Sequence, residues 1–109
     1  DLMSYKFMRV MIMFDLPTDS KEERRLYSKF RKGLISEGFL MMQYSIYIKS
    51  CINKDAANSS VNYVKRILPP NGHVRALIIT EKQYEKMKIL LGNEDKNIEI
   101  LGDNRTILF

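Results

Sequence analysis

An α+β fold, with two helices on one face of an antiparallel sheet, is predicted by three features of the sequence. Two segments carry apolar residues at helical spacing, three carry them at strand spacing, and the two kinds alternate along the chain. With 109 residues, 45% of them hydrophobic, the chain suits one compact domain that buries its own core.

Val10, Met11, Ile12, Met13 and Phe14 are apolar at every position, which fits a central strand covered on both faces, led in by Lys6 to Arg9 and ended by Asp15. Pro17 then takes the chain out of the sheet, and Ser20 with Glu23 forms a capping box that opens a helix over 21–37. Leu26, Phe30 and Leu34, with Tyr27 beside them, turn one stripe of this helix to the core, and Gly38 supplies a left-handed stop. Tyr44, Ile46 and Ile48 alternate with Gln43, Ser45, Tyr47 and Lys49, which predicts one half-buried strand over 41–49. Asn53 caps a second helix over 54–67 whose inner stripe is Ala57, Val61, Val64 and Leu68, ended by the turn Pro69-Pro70-Asn71-Gly72. A further strand alternates Val74, Ala76 and Ile78 with Arg75, Leu77 and Ile79, and a second capping box, Thr80 with Gln83, opens a short helix to Met87. Short apolar pieces at 88–91, 98–101 and 106–109 suit edge strands separated by Gly92-Asn93 and Gly102-Asp103-Asn104. The expected architecture is ferredoxin-like, with a domain over 1–91 and a tail over 92–109; Asp1-Leu2 is expected to be a cloning remnant before Met3. The sheet face bearing Arg9, Met11 and Met13 or their alternates has no helix to cover it, so a homodimer closed through that face is expected.

One cysteine, Cys51, and one histidine, His73, exclude an internal disulfide and a Cys/His zinc site within one protomer. The longest apolar run is far short of a membrane span, no signal peptide is visible, and a cytoplasmic setting without membrane contact is expected. Eighteen Lys and Arg against 13 Asp and Glu give a net charge of +5. The excess lies in the body, while residues 89–109 are net acidic, so a polyanionic partner is expected for the body.

Asp15 is the most unusual carboxylate, because it directly ends an apolar strand and is expected to be buried there. Two copies meeting at a dimer axis would form a paired-carboxylate site for Mg²⁺ or Mn²⁺. The alternative is a local one, in which Asp15 caps the turn Leu16-Pro17-Thr18. On a helical wheel Lys21, Arg25 and Lys32 share one stripe with Lys29 adjacent, opposite Leu26 and Phe30, and Arg24 and Arg31 flank the other edge of the apolar stripe. The six cations suit the phosphates of a nucleic-acid duplex, or else form an ordinary solvated face. His73 has no Ser/Asp partner at triad spacing and is expected to be a turn residue. Tyr44 and Ser45 are expected in mid-strand. Tyr44 and Tyr47 lack the aromatic pattern of an RNA-binding sheet, and the isolated glycines make no phosphate-binding loop.

The run Met8-Arg9-Val10-Met11-Ile12-Met13-Phe14-Asp15-Leu16-Pro17-Thr18, then Gly38-Phe39 leading to Gln43-Tyr44-Ser45-Ile46-Tyr47, then Leu68-Pro69-Pro70-Asn71-Gly72-His73-Val74-Arg75 and Thr80-Glu81-Lys82-Gln83, resembles the CRISPR-associated protein two family. The family is the small partner of the integrase that inserts new spacers, and the Pro-Pro-Asn-Gly-His stretch resembles its type II branch. The resemblance implies a βαββαβ ferredoxin-like sandwich, a homodimer across the sheet faces, and C-terminal strands that extend onto the partner. It also implies that the stretch from Phe39 to Lys49 is two short strands or one bent strand. It implies an Asp15 from each protomer around a divalent metal, with metal-dependent endonuclease activity on RNA or duplex DNA. The family's other implied role is architectural, bridging two integrase dimers and holding the middle of the incoming DNA. Many relatives carry tyrosine before the aspartate, where this chain has Phe14. Two-metal cleavage needs several convergent carboxylates and only Asp15 is placed to contribute, which favours the adaptor over the nuclease. A ligand-sensing module is the third reading, and it leaves the basic helix face without a role.

Overall fold

A computed structural model describes residues 6–93. The elements are β1 (Met8–Asp15), α1 (Lys21–Glu37), β2 (Leu40–Gln43), β3 (Ile46–Cys51), α2 (Lys54–Arg66), β4 (His73–Thr80) and α3 (Glu81–Glu85). The strands form one antiparallel sheet in the order β2-β3-β1-β4, so the uniformly apolar strand is central, as its composition requires.

Local chemistry sets the helix ends. At the start of α1 the Glu23 amide donates to Ser20 Oγ at 3.0 Å and the Ser20 amide to Glu23 Oε1 at 2.9 Å. Gly38, at φ 107°, closes the same helix in the left-handed conformation that glycine adopts without a steric penalty. Asn53 Oδ1 accepts from the Ala56 amide at the start of α2, and the box of Thr80 and Gln83 opens α3. That last helix is shorter than expected, ending at Glu85 with a further turn to Met87.

The core lies between the sheet and the pair α1 and α2. Val10, Ile12 and Phe14 from β1 meet Phe30 and Leu34 from α1, Ala57 and Val64 from α2, and Phe39 and Tyr47. The Phe14 ring stands edge-on to Phe30 at 5.2 Å between centroids and is 5.6 Å from that of Tyr47. Beside this apolar core, Lys49 Nζ donates to Glu37 Oε2 at 3.1 Å and to the buried Ser60 Oγ at 2.8 Å. This network ties β3 to the last turn of α1 and to α2. Glu37 sits where the helix dipole is unfavourable to an anion, and Lys49 offsets it.

Three expectations are corrected. The strand predicted over 41–49 is a hairpin, as the family resemblance implied: β2 ends at Gln43, Tyr44 and Ser45 make the turn, and β3 starts at Ile46. Ser45 takes φ 66°, held there by a bond from the Phe14 amide to its carbonyl at 3.0 Å. Tyr47 therefore faces the helices, on the side opposite to Ile46 and Ile48. Leu68 is 47% exposed, because α2 stops at Arg66 and Ile67 takes its place against the core. Residues 88–91 form no strand among the described residues, where Leu90 and Leu91 are 92% and 96% exposed. The segments 98–101 and 106–109, and with them most of the expected tail, lie outside the described residues, as do Asp1 and Leu2.

Lys49→Ala leaves Glu37 with only Ser60 and is expected to lower stability by about 1–3 kcal/mol, the range for removing one partner of a part-buried charged hydrogen bond. Urea denaturation checks this. The midpoint should fall without a change in slope.

Candidate functional site

Alternation along β1 decides where each candidate side chain goes. Met8, Val10, Ile12 and Phe14 point into the helix-covered core, so Arg9, Met11, Met13 and Asp15 point to the other face. The same parity places Phe14 against Phe30 and Tyr47, away from the face that carries Asp15. On that open face the register sets Arg9 beside Ile79 and Ser50, Met11 beside Leu77 and Ile48, Met13 beside Arg75 and Ile46, and Asp15 beside His73.

The two ends of the open face differ. At one end Arg9 makes a two-pronged ion pair with Glu81, at 2.6 and 2.9 Å, and stacks 4.0 Å from the centre of the Tyr84 ring. That pins α3 to the sheet, and Met11 and Ile48 are buried within the protomer, so the face is less bare than expected. Leu77 remains about half exposed. At the other end Asp15 is exposed, a correction to the expected buried strand end. It is the last residue of β1, on the face opposite α1 and α2 and at the end away from α3, so no described element covers it.

Asp15 does not cap the following turn either. Among the described residues its carboxylate has no hydrogen-bond or ion-pair partner. The loop is instead held by Arg24, which donates to the Thr18 and Asp19 carbonyls at 3.1 Å each, and by the α1 capping box.

His73, expected as a turn residue, is the first residue of β4 and the direct cross-strand neighbour of Asp15. Facing residues of an antiparallel pair have Cβ atoms about 4.5–5.5 Å apart. Gly72 makes this approach possible: at φ 110° it packs so tightly that a Cβ there would lie 2.8 Å from the Asp15 carbonyl oxygen and 2.6 Å from a Leu16 methyl. The Gly72-His73 pair is thus the signal the sequence offers, and reading it requires the pairing of β1 with β4. Arg75 lies diagonally from Asp15 on the same face and is exposed. Tyr44 and Ser45 are at this end too, as a turn, with Tyr44 86% exposed and Tyr47 buried out of reach of any ligand.

No group of three or more His, Cys, Asp or Glu gathers among the described residues. A divalent ion that keeps most of its water can nevertheless be held by one or two carboxylates. An exposed Asp15 without a partner among the described residues fits that role as a single donor.

All six cations of the basic stripe are exposed on α1, but they are not equivalent. Arg25 makes a two-pronged pair with Glu22 at 2.8 and 2.7 Å, and these hydrogen bonds hold the Glu22 carboxyl below its ordinary value. Arg24 is engaged with the loop carbonyls. Lys21, Lys29, Arg31 and Lys32 have no ion-pair partner among the described residues. The stripe belongs to the outer surface of the helix layer, and Asp15 to the opposite face of the sheet. No described helix is long and apolar enough to cross a membrane.

Residues 8–87 match the family described as CRISPR associated protein Cas2. A relative from Campylobacter jejuni is 52% identical over 95% of this chain and 73% of its own length. One from Ligilactobacillus salivarius is 48% identical over 93% of this chain and 100% of its own. Both carry the name CRISPR-associated endoribonuclease Cas2. A crystal structure of a Cas2 protein shares the fold at 17% identity, with a TM-score of 0.50 over 83% of this chain and 91% of that one. The ferredoxin-like order of strands and helices and the match across nearly all the described residues agree, and the chain belongs to the Cas2 family of CRISPR systems.

Proposed function

We propose that the protein works in CRISPR adaptation as a homodimer that binds duplex DNA along α1 and bridges integrase dimers during spacer insertion. The observation that carries this reading is the separation of the basic stripe from Asp15 by the thickness of the sheet. A duplex lying along the outer face of α1 is held by its phosphates, which position it without reading sequence, and it stays on the other side of the sheet from the carboxylate. Binding without cleavage follows from that arrangement, and binding without cleavage is what a scaffold requires. Dimerisation is supported by the open face, where Leu77 and the end bearing Asp15 lack a covering element among the described residues.

A second reading, a metal-dependent endonuclease, is supported by the names of the relatives, which call them endoribonucleases. Asp15 would hold Mg²⁺ or Mn²⁺, with a second copy's Asp15 completing the donor set across the open faces. Bound there, the ion would supply charge neutralisation at a phosphoryl oxygen. Arg75, diagonal to Asp15, would orient the same phosphate. The substrate in this case enters between protomers or along the sheet edge, whereas α1 serves the duplex. RNA and DNA are both compatible with such a site, since it engages phosphate alone.

Two outcomes are expected. Light scattering of the full chain at micromolar concentration should give twice the 12.8 kDa of one protomer, and a monomer would remove the dimer from this account. Replacing Lys21, Lys29 and Lys32 by Ala should weaken binding to any duplex sequence, and should make log K less steep in log salt by about 0.9 for each phosphate no longer neutralised. Unchanged affinity and slope in that triple variant would move the DNA off α1.

A further inference from the structure

The register that faces Asp15 with His73 juxtaposes a carboxylate and an imidazole on one exposed patch, and the reading of Asp15 as a metal ligand makes no use of the second group. We infer that His73 is a ligand as well, so that each protomer offers a mixed oxygen and nitrogen donor pair that selects a first-row transition-metal ion over Mg²⁺. The inference rests on the metal reading of Asp15 and deepens it.

Three observations carry it. Asp15 and His73 are direct partners in the ladder between β1 and β4, so their side chains leave the same face of adjacent strands. Both are exposed, and neither has a hydrogen-bond or ion-pair partner among the described residues, so both are free to turn toward a shared ion. The backbone that holds them together is confined: Gly72 leaves no space for a side chain between the incoming turn and the Asp15 carbonyl, which fixes the start of β4 against the end of β1.

Donor chemistry then sets the selectivity. A carboxylate alone serves Mg²⁺ and Mn²⁺, both of which accept oxygen ligands. Imidazole adds little for Mg²⁺, which prefers oxygen and gives up its waters reluctantly. It adds more for Mn²⁺ and more again for Co²⁺, following the general rise in affinity for nitrogen-containing sites along the first row. Arg75, on the same face, opposes any cation electrostatically and does so equally for ions of equal charge, so it lowers affinity without altering the order.

The test is metal binding by the protein, with Mg²⁺, Mn²⁺ and Co²⁺ as the probes, at about pH 7.5. Titration calorimetry of wild type, His73→Ala, His73→Gln and Asp15→Asn gives the affinities, and pulsed electron paramagnetic resonance of the Mn²⁺ form detects a directly bound nitrogen. Circular dichroism of each variant verifies that it is folded. Wild type should bind Co²⁺ and Mn²⁺ more tightly than Mg²⁺, and both His73 variants should lose about tenfold or more for Co²⁺ and keep Mg²⁺ affinity within about twofold. The nitrogen signal should vanish in both. If the His73 variants bind all three ions as wild type does and no nitrogen signal is present, while Asp15→Asn abolishes binding, the inference on His73 is wrong and the Asp15 site stands. If Asp15→Asn also leaves binding unchanged, the site itself is elsewhere and both fall.

Discussion

The central position of β1 is the constraint on which the rest of the molecule depends. Paired on both sides and covered by helices on one face, it must send successive side chains to opposite faces. Phe14 therefore enters the core among Phe30, Tyr27 and Tyr47, and Asp15, one residue later, leaves on the uncovered face. A one-residue slip would exchange them, burying a carboxylate without a partner and exposing an aromatic ring. Each of those costs free energy, so the register is fixed strongly, and with it the position of the carboxylate relative to everything on β4.

That parity divides the protomer into two working surfaces. The helix layer carries the cations, and its outer surface is regular enough for a helix to follow a phosphate track. The open face carries Arg9, already committed to Glu81 and Tyr84 at one end, and Asp15 with His73 and Arg75 at the other. Arg9 fastens α3 at one end of this face, and among the described residues the end with Asp15 is exposed. The core and the Lys49 network hold the two layers in one orientation, so a partner on one side and a duplex on the other can be engaged by the same rigid unit.

The sequence makes legible whatever local chemistry determines. Ser20 with Glu23 and Thr80 with Gln83 announce helix starts through bonds made within four residues, and the bounds of α1 agree with their reading. The hairpin escapes periodicity because its turn uses Tyr44 and Ser45 instead of glycine, and the left-handed Ser45 is held by an amide from β1, far earlier in the chain. Asp15 stands out as the unusual carboxylate, yet its exposure is not legible, since a uniformly apolar strand does not say which face the helices cover. His73 escapes for a related reason. Its meaning comes from register with a strand distant in sequence, and only the glycine before it hints at the close approach. The basic stripe is legible as geometry, but Glu22 and the Thr18 and Asp19 carbonyls, which engage Arg25 and Arg24, sort its members in a way a helical wheel does not display.

The central claim is that the protein serves by holding DNA and that the Asp15 carboxylate is not required for that. It is tested most directly by measuring spacer integration with the cognate integrase, for wild type and Asp15→Asn, beside phosphodiester cleavage in Mg²⁺ or Mn²⁺. Asn keeps the shape of the side chain at an exposed strand end, so the fold and the dimer should persist. Integration that continues at the wild-type level while any cleavage disappears is the result this account predicts; loss of integration in a variant that is still dimeric and still binds duplex DNA would contradict it.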